Sequence, residues 1–434
     1  MKKIVLLLSL LLLIFTASGC VTAKKPAGDT TEQTTEKPDD TVYPPDVWDG
    51  TVAESFAAGS GTEADPYLIA TGEQLAYLAK SVNEGNTYSG KTVALAADID
   101  LNDLEWIPIG NGNNPFDGTF NGKKHTISNL KITERSEYQY NYTEDRFNTM
   151  CVAGLFGVCR NANFENLFIS KASVSIPQKE PYNASIYVGV LAGQIFADTS
   201  CSVLNVLISD ANIHSVRNES ETIIGGIIGG IIGKSTEPIS CALNRLQCFL
   251  SVSRDYYWGS YERNYVGGII GQAGGPLILN CKDFRSDLTL ECPEYEEPSV
   301  GTFGWLGGEQ VSLENGFGRV KIFPTYGFPE TTHAIIGNKN ILWASTVQCK
   351  NLFGCVMPKD EMSLTIVPDS YYATPNWREE MHDCLYSLYS ITPNPERGGS
   401  LTEENCVACD ALPENHGLDP AVWDLTDLAN PKLK

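Results

Sequence analysis

The chain has 434 residues and carries 53 acidic against 31 basic side chains, which gives a formal net charge of −22 at neutral pH. This excess of acid argues against nucleic acid and anionic membrane surfaces as partners, because both are bound through Lys and Arg. It is typical of a soluble, self-repelling exterior.

The N-terminal segment MKKIVLLLSLLLLIFTASGC has two lysines, a long apolar core and small residues before Cys20. This pattern predicts a secretory signal peptide over residues 1–20. The run ASGC resembles a bacterial lipobox, although Ala17 stands where Leu is usual. We expect Cys20 to carry a lipid that anchors the protein to the outer face of a bacterial membrane. Ordinary cleavage and secretion is the alternative.

Residues 21–46 are polar, contain several prolines and have almost no large apolar side chains, which predicts a disordered tether. The chain has 13 cysteines. With Cys20 lipidated, an even number remains, which permits disulfides in an exported protein without specifying their pairing. Buried thiols in an apolar core are the alternative.

The stretch SETIIGGIIGGIIGK, between Ser220 and Lys234, is too short for a membrane-spanning helix, which needs about 20 apolar residues. Its motif instead belongs to a repeat, in which a short apolar box ends in glycine and an asparagine follows. The asparagines are 35 to 39 residues apart, which predicts stacked repeats. The box glycines are Gly157, Gly193, Gly233, Gly271, Gly304 and Gly337. The repeated asparagines are Asn129, Asn166, Asn205, Asn244, Asn280, Asn315 and Asn351.

The segments after these asparagines are rich in β-branched residues with partial alternation, which favours strands over helices. Winding such strands in parallel buries one face of each repeat on its neighbours, so the sequence predicts a β-solenoid. We expect the doubled GGIIG box to be a buried strand flanked by glycine corners, with a register that is ambiguous by four residues. The asparagines are expected at a corner, where they form an aligned ladder.

The segments GSGTEADPYLI, TGEQLAYLAKSVNEGN, FDGTFNGKKHTISNLKI and AGLFG follow one another near the N-terminus. This series resembles bacterial surface lipoproteins built from GLUG-motif repeats. The resemblance implies an all-β fold, a right-handed parallel β-helix over residues 47–356, and no established activity. Thr71 and Gln74 form a capping box that predicts a short N-terminal helical cap. We interpret residues 357–434 as a second cap region with a helical insertion.

The sequence contains no HExxH, G-x-S-x-G or P-loop motif, so we assign no catalytic residues and expect no cofactor. The segment ADIDLND places alternating acids at Asp98 and Asp100 but lacks the EF-hand pattern. A cluster of His382, Cys384, Cys406, Cys409 and His416 has some metal-ligand character. Disulfides or thiols explain that cluster as well, and we assign no metal site.

Several repeats carry insertions at the same point, between the strand after the asparagine and the next glycine box. Insertions on one edge of a solenoid often mark a binding surface. These are rich in aromatic residues, which stack on sugars or dock proteins when exposed and form a hydrophobic lid when folded back. The candidate ligand-binding residues are Tyr138, Tyr140, Tyr142, Tyr256, Tyr257, Trp258 and Tyr261, with Tyr182, Tyr265 and Tyr295 in the same insertions.

The sequence therefore predicts a non-catalytic adhesin, or a module that binds carbohydrate or a host protein, attached to the membrane through Cys20. A polysaccharide lyase or glycoside hydrolase is the enzymatic alternative, and it would need acids, or Arg and Lys, converging on one groove. A purely structural surface spacer is the third hypothesis.

Overall fold

A computed structural model describes residues 43–133, 136–143, 146–176, 185–216, 221–255, 264–292, 299–324, 335–336, 346–358, 421–424, 426 and 432–434. All of them belong to one compact unit, Val42–Lys434. The signal peptide, Cys20, the first part of the tether and the predicted helices between residues 359 and 420 lie outside the described residues. Within the described ranges, no helix has the length and apolar character needed to cross a membrane.

The described chain forms one helix and 25 strands. The N-terminal elements are β1 (Asp46–Val47), β2 (Tyr67–Ile69), α1 (Gly72–Asn83), β3 (Thr92–Leu95), β4 (Ile99–Asp100), β5 (Thr119–Asn121), β6 (Thr126–Ser128), β7 (Lys131–Ile132), β8 (Ser136–Thr143), β9 (Arg146–Ala153), β10 (Phe156–Arg160), β11 (Asn163–Ser170) and β12 (Ser173–Ile176). The later strands are β13 (Ser185–Gly189), β14 (Ala192–Ala197), β15 (Ser200–Val216), β16 (Thr222–Gly225), β17 (Ile228–Gly233), β18 (Ile239–Asp255), β19 (Asn264–Gly274), β20 (Leu277–Cys292), β21 (Ser299–Leu306), β22 (Gln310–Pro324), β23 (Thr346–Pro358), β24 (Trp423–Asp424) and β25 (Lys432–Leu433).

Most of these strands stack in parallel into two large sheets, so the chain is a parallel β-solenoid, as predicted; β8 pairs antiparallel with β9, and β24 and β25 form a separate antiparallel pair. The first sheet has 14 strands and runs in the order β1-β4-β6-β11-β15-β18-β20-β22-β23, with five further strands branching from this path. The second has nine strands and contains the glycine boxes. Asn205 donates from Nδ2 to Oδ1 of Asn166, 39 residues earlier, at 2.8 Å, so one repeat of sequence corresponds to one coil.

Helix α1 begins where the capping box predicts. The Thr71 side chain accepts a hydrogen bond from the Gln74 backbone N–H, and Gln74 Oε1 accepts one from the Ala70 N–H. Leu75, Leu78, Ala79 and Val82 are buried and form its apolar face. They join the main apolar core beside β2, which is the terminal strand of its branch, so α1 occupies the place expected of an N-terminal cap.

Two columns of glycine run through the second sheet, one on each side of a sharp corner. The first column is Gly154, Gly189, Gly225, Gly267 and Gly301. The second is Gly157, Gly193, Gly229, Gly271 and Gly304. A Cβ added at Gly271 would lie 2.7 Å from the carbonyl oxygen of Gly229, and one at Gly304 would lie 2.6 Å from that of Gly271. Close backbone approach, and not positive φ, is therefore why these corners need glycine.

The structure resolves the register of the doubled GGIIG box. Gly229 occupies the second column, and Gly233, which we assigned to the repeat, lies four residues later at the end of β17. The apolar residues between the two columns, including Ile227 and Ile228, are fully buried. Gly337 lies outside the described residues.

The asparagine ladder lies at one corner of the first sheet, but the residues that form this corner are not all the asparagines predicted from the repeat spacing. Asn166, Asn205 and Asn315 adopt left-handed φ angles of 52°, 54° and 54°. Arg245 and Asp283 occupy the same corner in the coils between them, with φ of 55° each. Because the repeats differ in length, Asn244 lies one residue before this corner and Asn280 three residues before it.

Asn129 belongs to a second corner of the first sheet, together with Lys171 and Asp210, which also have positive φ. From β18 onward the chain passes this point without a left-handed residue, after a register shift between Ile208 and Ala211 in β15. Asn351 lies in β23 at the position paired with Asn315. The asparagine periodicity thus combines two different corners.

The cysteines in the described coils follow both predicted alternatives. Cys201 and Cys241 are paired residues on β15 and β18 and form a disulfide. Cys159, Cys248 and Cys281 are thiols in the core, where burial raises the pKa of each thiol. Among these described cysteines, the interior therefore combines one disulfide between adjacent coils with thiols whose burial favours the protonated form.

We predict that Gly225→Ala strongly destabilises the solenoid, because the new Cβ would overlap the carbonyl group of Ile228. We expect a loss of about 2–3 kcal/mol in the free energy of unfolding, measured by chemical denaturation. Gly274→Ala is the matched control, since its Cβ meets only the edge of the Trp305 ring, at 2.9 Å. Equal losses in the two variants would contradict a backbone constraint at the corner.

The buried thiols predict a stability that falls with alkaline pH. Below the unfolded-state pKa of roughly 8.5 the thiols are protonated in both states, so their contribution is fully present. Above it, the unfolded chain releases protons that the folded chain retains, and stability falls by up to about 1.4 kcal/mol per pH unit for each thiol. Denaturation between neutral and alkaline pH should show a shallower decline in Cys248→Ala. Val252→Ala, a buried control, should keep the wild-type decline, and an unchanged slope in Cys248→Ala would refute this account.

Candidate functional site

A row of polar side chains crosses the outer face of the first sheet. Ser173, Asn212, Ser251 and Thr289 are paired in register on successive strands β12, β15, β18 and β20. A second row, two residues further along the same strands, contains His214, Ser253 and Glu291. Together these seven residues line a depression of about 260 Å³, which we call the polar groove. Their side chains are exposed or half-buried.

The polar groove offers hydrogen-bonding groups in a fixed, repeated geometry. His214 Nδ1 lies 2.9 Å from Ser253 Oγ, so the imidazole and the hydroxyl are already oriented by each other. Each residue lies at the same position of its coil, which places similar groups one strand spacing apart, about 4.8 Å. Such a surface presents hydroxyl, amide and imidazole groups to a ligand that crosses several strands.

The strands that carry the polar groove end where four of the predicted insertions begin. These strands are β12, β15, β18 and β20, which end at Ile176, Val216, Asp255 and Cys292. After each of them the described chain resumes in the second sheet, at β13, β16, β19 and β21. These four insertions therefore start and end at equivalent points of successive coils, as the sequence predicts.

The candidate aromatic residues fall in three places. Tyr138, Tyr140 and Tyr142 occupy alternate positions of β8, which pairs antiparallel with β9 at one end of the second sheet. Tyr265 is buried in β19, where its ring stacks on Trp305 at 6.1 Å, so it packs against the solenoid instead of facing a ligand. Outside the described residues lie Tyr182, Tyr256, Tyr257, Trp258, Tyr261 and Tyr295.

A second depression, of about 460 Å³, adjoins the polar groove and shares Thr289 with it. Its lining contains four cationic side chains, Arg285, Arg319, Lys321 and Lys432, and among the described residues one carboxylate, Asp287. We call this depression the basic cleft. Arg285 Nη2 lies 2.7 Å and Arg319 Nη1 3.3 Å from the carboxylate oxygens of Asp287.

The two arginines of the basic cleft are held against aromatic rings. The Arg285 guanidinium lies 4.8 Å from the Phe249 ring centre, and the Arg319 guanidinium lies 5.5 Å from that of Phe317. Only 3% of the Arg285 side chain and 13% of the Arg319 side chain are exposed. Stacking and ion pairing together fix both guanidinium groups in place.

The C-terminal hairpin forms one wall of the basic cleft. Strands β24 and β25 pair antiparallel, and the fully buried Trp423 packs with Phe317 in a small cluster separate from the main core. Arg245 donates a hydrogen bond to the main-chain oxygen of Lys434, which fastens the C-terminal hairpin to β18. The described C-terminal residues therefore lie on the outer face of the first sheet and bring Lys432 and Leu433 to the cleft.

The basic cleft was not predicted from the sequence. The available signal was positional: Asp287 and Arg319 each follow a corner residue by four positions, and Arg285 and Lys321 lie two residues from them. Finding this signal required Asp283, which we had not identified, as the equivalent of Asn315.

The acids of ADIDLND have structural roles. Asp98 accepts hydrogen bonds from the Thr126 N–H and faces His125 Nδ1, while Asp100 accepts from the Asn102 N–H and from Asn129 Nδ2. The part of the chain that the structure describes contains no group of three or more His, Cys, Asp or Glu residues arranged to hold a metal ion. The cluster of His382, Cys384, Cys406, Cys409 and His416 lies outside the described ranges.

Comparisons with known proteins give distant similarities. No family model matches the chain. A candidate Gly-rich membrane protein of Evansella cellulosilytica is 30% identical over 140 residues, which are 32% of this chain and 14% of that protein. Halomucin of Haloquadratum walsbyi is 33% identical over 105 residues, which are 20% of this chain and 1% of that protein. The chain therefore matches only a small part of either relative.

Among solved structures, a candidate immunoglobulin A1 protease from Bacteroides ovatus aligns with a TM-score of 0.41 and 16% identity. The alignment covers 87% of this chain and 95% of that chain.

We predict that Trp423→Ala releases the C-terminal hairpin and opens the basic cleft while the solenoid stays folded, because Trp423 packs outside the main core. Hydrogen exchange should show loss of protection confined to the hairpin and to β22. Trp106→Ala is the control, since Trp106 lies in the main core and its loss should cost about 3–5 kcal/mol of global stability. Global unfolding of Trp423→Ala, or an unchanged exchange pattern, would contradict this prediction.

Proposed function

We propose that the protein is an exported β-solenoid of the bacterial surface, held by a lipid on Cys20, that binds polysaccharide in the polar groove without catalysing a reaction. The signal-like N-terminus and the names of the two distant relatives, a Gly-rich membrane protein and halomucin, support a surface location. The motif resemblance to GLUG-repeat lipoproteins supports the same assignment. A host protein is the alternative ligand.

The observation that carries the proposal is the polar row in register on four parallel strands. Asn212 and Ser251 are exposed at its centre, and their spacing suits hydrogen bonds to consecutive hydroxyl groups along a sugar chain. Binding of this kind is shallow and uses several modest contacts. The aromatic residues of the adjoining insertions, Trp258 above all, would supply stacking surfaces on the same edge.

A second candidate function is polysaccharide lyase activity, and the basic cleft is the observation that favours it. Arg and Lys converging on one groove can neutralise a uronate carboxylate, which makes the hydrogen on the neighbouring carbon more acidic. An assay for the ultraviolet absorbance of unsaturated sugar products, run on an acidic polysaccharide, separates this candidate from binding alone. The glycosidase alternative lacks comparable support, because the described lining of the basic cleft contains one carboxylate where hydrolysis needs two.

The test is a glycan array probed with the full-length chain in detergent, followed by affinity measurements on any glycan that binds. Asn212→Ala combined with Ser251→Ala should weaken binding about tenfold, because each substitution removes about one hydrogen bond. Trp258→Ala should weaken it further if the insertions contribute.

The matched control combines Asn280→Ala with Ser240→Ala. These exposed residues have the same side-chain types and lie on the same sheet, on the other side of the left-handed corner. Equal weakening in the control would argue against the polar groove. If no glycan or host protein is bound, the spacer hypothesis replaces the binding proposal.

A further inference from the structure

The basic cleft is a local exception in an acidic protein. The described residues that line it include four cations and one carboxylate, Asp287, which is an excess of three positive charges among them, against a net charge of −22 for the whole chain. Charges separated by more than about 8–10 Å are largely screened at physiological salt. An anion in the cleft therefore interacts mainly with the cations around it, and the distant acids repel it only weakly.

Asp287 serves to position the two arginines. One carboxylate contacts both guanidinium groups, and the rings of Phe249 and Phe317 lie against them. Rigid guanidinium groups lose little conformational entropy on binding, and their planar geometry suits carboxylate and sulfate oxygens. Lys321 and Lys432 add charge from two separate elements, β22 and the C-terminal hairpin.

The location of the cleft connects it with the polar groove. Thr289 lines both depressions, so a chain of sugars lying in the groove can extend a substituent into the cleft. We propose that the basic cleft binds the acidic substituent, a carboxylate or a sulfate, of a polysaccharide that occupies the polar groove. This inference rests on the proposed function and specifies its ligand class as an acidic glycan.

The experiment compares three polymers on the full-length chain by calorimetry: dextran, dextran sulfate and polygalacturonate. Dextran and dextran sulfate share a backbone and differ in charge, while polygalacturonate carries carboxylates. We expect at least one acidic polymer to bind at least about tenfold more tightly than dextran, with an affinity that falls as salt is raised. The two acidic polymers distinguish sulfate from carboxylate.

Lys321→Gln combined with Lys432→Gln tests the cleft without disturbing the buried arginines. Both lysines are partly or fully exposed, so the fold should persist, as thermal unfolding will check. We expect this double variant to bind the acidic polymer about tenfold more weakly. The control, Lys171→Gln combined with Lys282→Gln, removes the same charge from exposed sites outside the cleft and should retain wild-type affinity.

Equal weakening in both double variants would overturn the cleft assignment, because it would reflect net charge alone. Equal affinity for dextran and the acidic polymers would overturn the acidic specificity and leave the proposed groove intact. If none of the three polymers binds while the glycan array identifies a neutral ligand, the inference fails separately from the proposed function.

Discussion

The close approach of backbones at the two glycine columns is the constraint on which the solenoid depends. At Gly225 and Gly267 the chain bends so sharply that a Cβ would overlap the carbonyl group three residues later. At Gly229, Gly271 and Gly304 it packs against the backbone of the coil before. Any side chain here would push successive coils apart, so glycine at these positions sets how closely the coils can stack.

Because the glycine columns lie in the second sheet, the outer face of the first sheet is open to variation. Its strands direct alternate residues such as Val252 and Leu290 into the core, while their neighbours face outward without being needed for packing. The polar groove and the basic cleft are built from these outward positions. The outward-facing side chain can therefore differ from one coil to the next, as it does at Asn212, Ser251 and Thr289, while the buried residues keep their pattern.

The fold was predictable because its cause is periodic and local. Glycine boxes and β-branched runs recur at nearly constant spacing, which was enough to predict parallel coils and the capping helix α1. The register within the doubled GGIIG box was not predictable, since shifting it by four residues leaves the local pattern unchanged. Only the stacking of Gly229 between Gly193 and Gly271 decides it. The spacing of the asparagines did not identify every corner residue, for a related reason. Arg245 and Asp283 adopt the same left-handed backbone, so residue identity does not fix the corner.

The candidate site was less accessible to sequence analysis, because its parts come from separate coils and from the far end of the chain. The polar groove requires strand pairing to bring Ser173 and Thr289 onto one surface. The basic cleft also requires the C-terminal hairpin, whose last residue is bonded to an arginine 189 positions earlier. The net charge of the chain argued against anionic partners. Because it is an average over the whole chain, it could not show the local excess of positive charge in the basic cleft.

That contrast between local and net charge also constrains how an acidic glycan could be held. Long-range attraction would be absent, because salt screens the cations of the cleft beyond about 8–10 Å and the surrounding surface is acidic. Encounter would then be slow, and selectivity would come from the fixed arginines after the ligand has met the surface. A neutral stretch of sugar in the polar groove would make the first contacts, and only a correctly spaced acidic group would reach Arg319 and Lys321.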